Sequence, residues 1–426
     1  MERQSESVMN DKYINVALCF DEKIARYACV TIKSLLDSCS LEDIHYAIHC
    51  VTVPGVKGIV HSYLDKQISI KDAKSFIKFY EVSDNPFVNA YEIRNITNTA
   101  YFRFLLPEIL ADVEKVIYLD VDVIVCKELA TLYATNMGET LIMGVRAGFD
   151  LMQQKNREYF EEIEKCCDKY INSGVMLMNL YKIRESKIAE EWKRLSAKNY
   201  MYQDQDIINI TCYDRIELLP LKYNVWASQG RVYLDKMIAN KRCTLEEVEE
   251  ATNEPCIVHY AGKKPWDTIA YNRAGLAGLW WKYVIGDAVL TEWFQNELGD
   301  SIRNTEKEQE KNYRKIQLLT QLLMAKQQRK KIGQILLERG YRDIAIYGMD
   351  DVGKYIHNEL KDSAVNVCYG IDQNRYMEEY EVNIYSPTSP LQPVDAVVVT
   401  VVYAYEQIKK KLEYMESSII SLEELL

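Results

Sequence analysis

The stretch that decides the fold is residues 115–125, Lys115-Val116-Ile117-Tyr118-Leu119-Asp120-Val121-Asp122-Val123-Ile124-Val125. Two carboxylates interrupt an apolar run that is typical of a buried strand. In a continuous strand Asp120 and Asp122 point to the same side, because side chains alternate with a period of two. Two like charges held that close are unfavourable in apolar surroundings unless a cation lies between them. The stretch therefore predicts either an oxygen-ligand site suited to Mg2+ or Mn2+, or a solvated strand end. Because repulsion would be relieved, we expect Asp122→Asn to leave thermal stability unchanged or higher.

Apolar runs on both sides of this stretch predict an α/β domain. Helical patterns follow the first two runs, from about Ala25 to Ser38 and after the turn signal Pro54-Gly55. Strands that alternate with helices at this spacing favour a largely parallel sheet. The further predicted strands are residues 14–20, 44–53, 76–80, 174–180 and 256–259.

The sequence changes character after about Asn272. Residues 275–294 are rich in aromatic and aliphatic side chains and predict one or two helices. Residues 300–342 predict a long helical segment with eleven basic and five acidic residues, in a chain whose net charge is −11. This pattern fits either a connecting helix packed on its own protein or a basic amphipathic surface for an anionic lipid or a charged acceptor.

A small α/β unit is predicted from Arg342 onward. Gly348 and Gly353 match the first and last glycines of G-x-G-x-x-G, but Asp350 replaces the middle one. Asp372 follows the second strand, where a ribose-binding acid is expected. Dinucleotide binding and a role in interaction or dimerisation are both open for this unit.

Composition excludes several classes of protein. The net charge of −11 over 426 residues argues against a nucleic-acid binder. Eleven cysteines without a CxxC pair, mostly within apolar runs, are typical of a reduced protein. No run approaches the ~20 apolar residues of a membrane span, and the first eleven residues lack a signal-peptide pattern. We therefore expect a cytoplasmic protein.

Four further blocks accompany residues 115–125 in a fixed order. They are Thr99-Ala100-Tyr101-Phe102-Arg103-Phe104-Leu105-Leu106-Pro107, Tyr170-Ile171-Asn172-Ser173-Gly174-Val175-Met176-Leu177-Met178-Asn179-Leu180, Tyr202-Gln203-Asp204-Gln205-Asp206-Ile207-Ile208-Asn209 and Ile257-Val258-His259-Tyr260-Ala261-Gly262-Lys263-Lys264-Pro265-Trp266. Together the five blocks resemble glycosyltransferase family 8. That family includes bacterial lipopolysaccharide glucosyl- and galactosyltransferases and the self-glucosylating glycogenins. The resemblance covers roughly residues 12–270.

The resemblance implies a GT-A fold, a UDP-sugar donor, Mn2+ dependence with Mg2+ as the alternative, and retention of anomeric configuration. Asp120, Asp122 and His259 match the metal ligands, and an imidazole beside two carboxylates favours Mn2+. The metal would stabilise negative charge on the departing diphosphate, and Lys264 would add a second positive charge. The chain is thus predicted to divide into a GT-A domain (12–270), a helical cap with a basic connector (271–341) and a small Rossmann-like domain (342–426).

The resemblance also implies the residues that contact the donor. The residues matched to catalytic positions are Arg103, Asp204 and Gln205. The residues matched to donor or cofactor positions are Cys19, Asp21, Ile96, Arg103, Asp120, Val121, Asp122, Asn172, Ser173, Asp204, Gln205, His259, Gly262 and Lys264. Structural alternatives remain for Asp21 as a helix N-terminal residue, for Asn172 as a turn former, and for Asp204 and Asp206 as first-turn acids.

Mechanism and partners follow from the same resemblance. Asp204 is a plausible nucleophile and Gln205 a poor one, but a same-face attack needs neither and is favoured. The expected partners are UDP-glucose or UDP-galactose and a saccharide, glycolipid or protein acceptor. A homodimer and peripheral contact of residues 300–342 with the inner membrane face are further alternatives. The rival functions are a non-catalytic nucleotide-sugar binder and a nicotinamide-dependent oxidoreductase.

Overall fold

The structure is a computed structural model that describes residues 13–39, 44–91, 98–147, 163–227, 231–262, 264–267, 276–373 and 382–426. The chain forms two compact units, Met1–Arg303 and Asn304–Leu426. The predicted connector, residues 271–341, therefore contributes to both units. The three-part division of the chain stays a prediction.

The first unit contains ten described strands in two sheets. They are β1 Tyr13–Phe20, β2 His45–Thr52, β3 Phe76–Glu81, β4 Lys115–Leu119, β5 Val123–Val125, β6 Ile142–Arg146, β7 Ile171–Asn179, β8 Ile216–Leu218, β9 Val225–Trp226 and β10 Ile257–His259. The larger sheet has the order β3-β2-β1-β4-β7-β6-β8, and the smaller has the order β5-β10-β9.

Eleven helices lie between residues 25 and 327 of the described chain. They are α1 Ala25–Asp37, α2 Val56–Lys71, α3 Leu106–Ile109, α4 Ala130–Tyr133, α5 Leu180–Ser186, α6 Ile188–Leu195, α7 Gln203–Cys212, α8 Arg231–Ala239, α9 Leu245–Asn253, α10 Leu276–Ile285 and α11 Ala288–Gln327. Short 3-10 helices lie at Asn98–Leu105, Glu164–Lys169, Tyr213–Arg215 and Leu221–Tyr223. Helix α11 contains the boundary between the two units.

The predicted α/β architecture with a mainly parallel sheet is confirmed. Strands β3, β2, β1 and β4 are mutually parallel, and β6 pairs in parallel with β8. Strand β7 runs antiparallel to both of its neighbours. Along β1, Val16 and Leu18 belong to one apolar cluster and Ala17 and Cys19 to another. Both faces of this strand are therefore buried, which explains its continuous apolar run.

Residues 116–125 do not form the single strand that their pattern predicts. Strand β4 ends at Leu119, Asp120 to Asp122 form a turn, and β5 belongs to the smaller sheet, where it pairs with β10. The prediction that Asp120 and Asp122 share one face of a continuous strand is therefore wrong. The physical reason is that the chain leaves the larger sheet as soon as the charged residues begin, and the apolar triplet after them pairs elsewhere.

The second unit is a five-stranded sheet with helices. Its strands are β11 Asp343–Tyr347, β12 Asn366–Ile371, β13 Ile384–Tyr385, β14 Ala396–Val399 and β15 Ser418–Ser421. They are all parallel, in the order β13-β12-β11-β14-β15, as expected for a Rossmann-like unit. Its shorter helices are α12 Ile332–Glu338, α13 Asp351–Leu360 and α14 Tyr405–Lys411, with 3-10 turns at Val402–Ala404 and Leu422–Leu425. Across the described residues of both units, we find no helix with the length and apolarity of a membrane span.

Candidate active site

Backbone pairing brings the predicted metal ligands together at one edge of the first unit. Strand β5 runs antiparallel to β10 with Val123 opposite His259, so Asp122 lies next to the histidine. At the end of β4 the N–H of Asp120 donates to the carbonyl oxygen of Gly174 at 2.8 Å. Asp120, at the end of β4 in the larger sheet, and His259, at the end of β10 in the smaller sheet, therefore lie close together.

Three ligand-type atoms converge in this site. Asp120, Asp122 and His259 each offer one atom, and these atoms all lie within 4.8 Å of one another. Nε2 of His259 is 3.3 Å from Oδ1 of Asp122 and 3.9 Å from Oδ2 of Asp120. Two carboxylate oxygens and an imidazole nitrogen form a donor set that fits a divalent transition metal. Within the described part of the chain, this is the one cluster with such a donor set.

Protein donors hold the second oxygen of each carboxylate. Oδ1 of Asp120 accepts hydrogen bonds from the Tyr118 hydroxyl and from the Arg103 guanidinium, both at 2.9 Å. Oδ2 of Asp122 accepts a hydrogen bond from Nζ of Lys264. Burial by itself would raise the pKa of Asp122, but Lys264 and His259 outweigh it and hold that pKa below its usual range. The remaining carboxylate oxygens face the histidine.

A glycine leaves the space at this site open. A Cβ atom on Gly174 would lie 2.3 Å from Cε1 of His259 and 2.7 Å from Oδ2 of Asp120. Both distances are too short for real contacts, so any side chain at this position would push the ligands aside. The fit between the glycine and the three ligand side chains supports a site built to hold an ion.

A hydrogen-bond chain that starts from the backbone fixes the histidine tautomer. The N–H of Gly174 donates to Oδ1 of Asn172 at 3.1 Å. The same oxygen accepts from Nδ2 of Asn224 at 2.8 Å, which leaves Oδ1 of Asn224 2.9 Å from Nδ1 of His259. A carbonyl oxygen can only accept, so Nδ1 carries the proton. With its proton held on Nδ1, the imidazole has Nε2 as the nitrogen that can serve as a metal ligand beside the carboxylates.

Arg103 connects this cluster to Asp204. Its side chain is buried, and the guanidinium lies 2.9 Å from Oδ2 of Asp204 and 2.9 Å from Oδ1 of Asp120. The Ser173 hydroxyl also donates to Oδ2 of Asp204, at 2.9 Å. Burial raises the pKa of Asp204 to about 6, against the opposing effect of Arg103. Three carboxylates thus face two cations, Arg103 and Lys264, so a bound divalent ion would make the site electropositive and attractive to a diphosphate.

A family model named Glycosyl transferase family 8 matches residues 15–270, which is more than half of the chain. The chain belongs to glycosyl transferase family 8. Enzymes of this family transfer a sugar from a nucleotide-sugar donor to an acceptor and generally use a metal ion. The resemblance carried by the five sequence blocks is therefore confirmed.

Individual proteins and solved structures are also similar to this chain. General stress protein A of Bacillus subtilis (strain 168) is 24% identical over 269 residues, which are 61% of this chain and 89% of that protein. Glycosyltransferase GlyF of Streptococcus pneumoniae serotype 4 is 32% identical over 193 residues, which are 44% of this chain and 42% of that protein. The structure of galactosyltransferase LgtC with donor and acceptor sugar analogs superposes with a TM-score of 0.53 and 25% identity, covering 67% of this chain and 100% of that one. The predicted GT-A fold is confirmed by this likeness.

Asn172, Ser173 and Gln205, which are predicted to contact the sugar donor, are hydrogen-bonded to one another. Oε1 of Gln205 accepts from Nδ2 of Asn172 at 2.8 Å and from the N–H of Ser173 at 3.2 Å. Nε2 of Gln205 donates to the Tyr170 hydroxyl at 3.0 Å. Gln205 therefore holds the start of β7 against the start of α7. Asn172 lies within β7, so the alternative that it is a turn former is wrong.

Asp204 and Asp206 both lie in the first turn of α7, but they face different partners. Asp204 faces Arg103 and the cluster. Asp206 accepts from the N–H of Tyr202 at 2.8 Å and from the Tyr170 hydroxyl. The first-turn alternative describes Asp206 well, since its carboxylate satisfies a backbone donor at the helix start.

The residues predicted to contact the nucleotide lie at the ends of their elements. Oδ1 of Asp21 accepts from the N–H groups of Lys23 at 3.0 Å and Ile24 at 3.3 Å, so Asp21 also shapes the turn before α1. Cys19 lies buried in β1, and burial raises the pKa of its thiol.

Three further predicted nucleotide contacts remain. Val121 lies in the turn between Asp120 and Asp122, and Gly262 has a positive φ of 88° that favours glycine. Ile96 lies outside the described residues.

Sequence patterns missed two residues of the site, Tyr118 and Asn224. Tyr118 is fully buried, donates to Asp120 and lies under Arg103, whose guanidinium carbon is 4.3 Å from the ring centre. Asn224 is 3% exposed and precedes β9, which pairs with β10 beside His259. The available signals were weak: a tyrosine two residues before Asp120, and a polar residue between apolar neighbours.

In the glycine turn of the second unit, two carboxylates accept hydrogen bonds from backbone N–H groups. The Asp350 carboxylate accepts from the N–H of Val352 at 3.1 Å, and the Asp372 carboxylate accepts from the N–H of Met349 at 2.8 Å. A pyrophosphate needs such N–H groups and an approach without negative charge. Two carboxylates of the protein already occupy that position, which argues against the oxidoreductase alternative.

Proposed function

We propose that this chain is a Mn2+-dependent, retaining hexosyltransferase that moves glucose or galactose from a UDP-sugar to a saccharide, glycolipid or protein acceptor. The observation that carries the proposal is the convergence of Oδ2 of Asp120, Oδ1 of Asp122 and Nε2 of His259 beside a glycine that leaves room for an ion. The nitrogen ligand favours Mn2+ over Mg2+. The family and the donor-bound galactosyltransferase LgtC support a UDP-hexose.

The proposed ion would be held by Asp120, Asp122 and His259 and would supply Lewis-acid stabilisation of the diphosphate leaving group. Lys264 lies beside Asp122 and would place a further positive charge near the same phosphates. Arg103 keeps Asp120 oriented through a charge-assisted hydrogen bond. These residues would bind the diphosphate and exclude competing orientations of it.

The donor sugar is proposed to lie against Arg103, Asp204, Gln205 and the first residues of β7, Asn172 and Ser173. Ser173 and Arg103 both hold Oδ2 of Asp204, and this leaves Oδ1 as the oxygen with capacity to accept from a sugar hydroxyl. Buried, pre-oriented acceptors of this kind discriminate strongly between sugars that differ at one hydroxyl. The uridine is proposed to lie near Cys19, Asp21, Ile96, Val121 and Gly262.

Retention is proposed to occur by attack on the same face of the sugar. The acceptor oxygen forms a bond to the anomeric carbon as the bond from that carbon to the phosphate oxygen breaks. The proton of the acceptor hydroxyl passes to the leaving phosphate oxygen. Asp204 is a poor nucleophile in this setting, because Arg103 and Ser173 engage its carboxylate and burial raises its pKa to about 6. A covalent hexosyl adduct on Asp204, seen by intact mass with a slow donor, would contradict this step.

The direct test measures hydrolysis of UDP-glucose and UDP-galactose by the full chain with Mn2+, Mg2+ or a chelator. We expect turnover of one donor with Mn2+ and its loss in Asp122→Asn. UDP-sugar binding without turnover in any metal would instead support the non-catalytic binder. Incubation of the active donor with saccharide, lipid-linked and protein acceptors, followed by mass spectrometry, would identify the acceptor.

A further inference from the structure

The turn that carries Lys264 is held by two side chains from helices α10 and α11. The N–H of Asp267 donates to the carbonyl oxygen of Lys264 at 3.1 Å, which closes a turn with Pro265 at its second position. The carbonyl oxygen of Pro265 accepts from the indole N–H of Trp281 at 2.8 Å and from the Ser301 hydroxyl at 3.0 Å. Both of these side chains are buried. The two lone pairs of that carbonyl oxygen are therefore satisfied by the protein, away from water.

Both hydrogen-bond donors lie beyond the part of the chain that the family model matches, which ends at residue 270. Trp281 belongs to α10 and Ser301 to α11, and both lie in the first unit together with the candidate active site. Neither residue is part of the five sequence blocks. Their connection to the site is therefore visible only in the folded chain.

Lys264 is the residue next to this anchored carbonyl. Its Nζ donates to the Asp122 carboxylate and to the carbonyl oxygen of Tyr260, the latter at 3.1 Å. An ammonium group has three N–H bonds, so these two contacts leave one N–H for a phosphate oxygen. A lysine side chain is flexible, and the place where its backbone is held determines where that N–H can reach. The hydrogen bonds to Pro265 therefore bear directly on the direction of the Lys264 charge.

Aromatic packing holds the next residue of the same turn. The ring of Trp266 lies 4.2 Å from that of Tyr27 in α1 and 5.0 Å from that of Trp280 in α10, measured between ring centres. The ring of Trp280 lies 4.9 Å from that of Trp281. These ring contacts do not depend on the two hydrogen bonds to Pro265. Removal of those bonds should therefore shift the Pro265 peptide without unfolding this part of the chain.

We propose that Trp281 and Ser301 are positioning residues that hold Lys264 in place for the diphosphate of the sugar donor. A buried carbonyl oxygen that loses both of its hydrogen bonds is costly, so the Pro265 peptide would rotate toward water and carry the neighbouring lysine with it. The inference rests on the proposed function, because it requires a diphosphate beside Lys264. It adds two residues, outside the part matched by the family model, on which affinity for the sugar donor depends.

The test measures the affinity of the full chain for UDP in the presence of Mn2+ by isothermal titration calorimetry. Trp281→Phe combined with Ser301→Ala should weaken UDP binding by about 10-fold, as the loss of a hydrogen bond to a charged group typically does. Each substitution alone leaves one hydrogen bond on the carbonyl and should have a smaller effect.

The matched control is Trp280→Phe, which removes the same atoms from the neighbouring indole. Trp280 is fully buried, and its N–H has no hydrogen-bond partner among the described residues. The control therefore reproduces the loss of ring volume without the loss of a hydrogen bond. It should bind UDP as the natural chain does.

Lys264→Met separates positioning from a general structural role. This substitution should weaken UDP binding by the natural chain. In the Lys264→Met background, the paired change at Trp281 and Ser301 should weaken UDP binding no further, because the lysine through which the two residues act is absent. If circular dichroism shows that the paired variant is unfolded, Ser301→Ala alone serves for the same comparison.

The possible outcomes separate this inference from the proposed function. Equal losses of UDP affinity with and without Lys264 would overturn the positioning role, and so would an unchanged affinity in the folded paired variant. Both results would leave the transferase proposal intact. No binding of UDP by the natural chain would overturn the proposed function and this inference together.

Discussion

Nδ1 of His259 lies 2.9 Å from Oδ1 of Asn224, and this contact directs Nε2 toward Asp120 and Asp122. The orientation of Asn224 is in turn fixed through Asn172 by the backbone N–H of Gly174. A main-chain group that cannot change its protonation therefore determines which imidazole nitrogen can bind an ion. The site therefore depends on Asn224, which is not one of the three ligand-type residues.

Replacing Asn224 with leucine should weaken Mn2+ binding by about 10- to 100-fold, as loss of an outer partner of a metal-bound histidine typically does. The leucine removes the acceptor for Nδ1–H, so the imidazole can rotate or change tautomer. Electron paramagnetic resonance of free Mn2+, titrated in the presence of UDP, measures this affinity directly. The control is Asn240→Leu, an exposed asparagine at the end of α8. Equal Mn2+ affinity in Asn224→Leu and the natural chain would show that Asn224 does not orient the ligand.

Gly174→Ala should abolish metal binding and reduce donor turnover by at least about 100-fold. The new Cβ would lie 2.3 Å from Cε1 of His259, so the imidazole or the backbone must move. Mn2+ affinity and UDP-sugar hydrolysis are the two readouts. Gly58→Ala is the matched control, since a Cβ there meets nothing within 4 Å and should be neutral or slightly stabilising. Metal binding that survives the alanine would mean that the ion does not lie beside Gly174.

Asp122→Asn should lower the stability of the metal-free protein by about 1–2 kcal/mol. This reverses the expectation from sequence, because Asp122 lies beside Lys264 and His259 as well as beside another carboxylate. Lys264 retains 30% exposure of its side chain, so solvent moderates the loss. The pKa of Asp122 is held below its usual 3.8, so its contribution is present above that pH and is lost as the pH falls below it.

Thermal unfolding of Asp122→Asn and the natural chain, with chelator, at several pH values would test this. The difference in melting temperature should be largest near neutral pH and should shrink in acid. Asp168→Asn, at a side chain that is 95% exposed, is the control and should change little. A higher melting temperature for Asp122→Asn at neutral pH would favour the like-charge repulsion inferred from sequence.

Asp204 should give stability the opposite pH dependence. Its pKa is raised by burial from 3.8 to about 6, so the native state holds a proton that the unfolded chain has released between those values. Stability should therefore fall as the pH rises through that window. Asp204→Asn should lack this fall, so its stability relative to the natural chain should increase from pH 4 to pH 6 and then level off. Urea unfolding at each pH, with exposed Glu217→Gln as the control, measures the difference. Parallel pH profiles for the two chains would contradict the raised pKa.

Much of the fold could be predicted from the sequence because it follows from local patterns of apolar residues. The apolar run of β1 and the helical pattern after it match Tyr13–Phe20 and Ala25–Asp37 closely. The alternation of strands and helices predicted the parallel part of the sheet. The reversed direction of β7 could not be predicted, since it depends on pairing with β4 and β6 and not on its own residues.

The site was predictable where one residue type carries the chemistry. Asp120 and Asp122 stood out because two acids interrupt an apolar run, and His259 was singled out by the resemblance to the family. Tyr118 and Asn224 did not, because their importance arises from which side chains β4 and β9 bring near them. The turn at residues 120–122 was missed because the apolar residues on both sides of it suggested one continuous strand. The chain in fact passes there from the larger sheet to the smaller one.

The most direct measurement is the rate of UDP-glucose and UDP-galactose hydrolysis by the full chain before chelation, after chelation with EDTA, and after Mn2+ is returned. The account predicts turnover of at least one donor, its loss on chelation and its recovery with Mn2+, with no recovery in His259→Ala. Undiminished turnover in EDTA, or UDP-sugar binding with no turnover in any metal, would contradict a metal-dependent transferase at Asp120, Asp122 and His259.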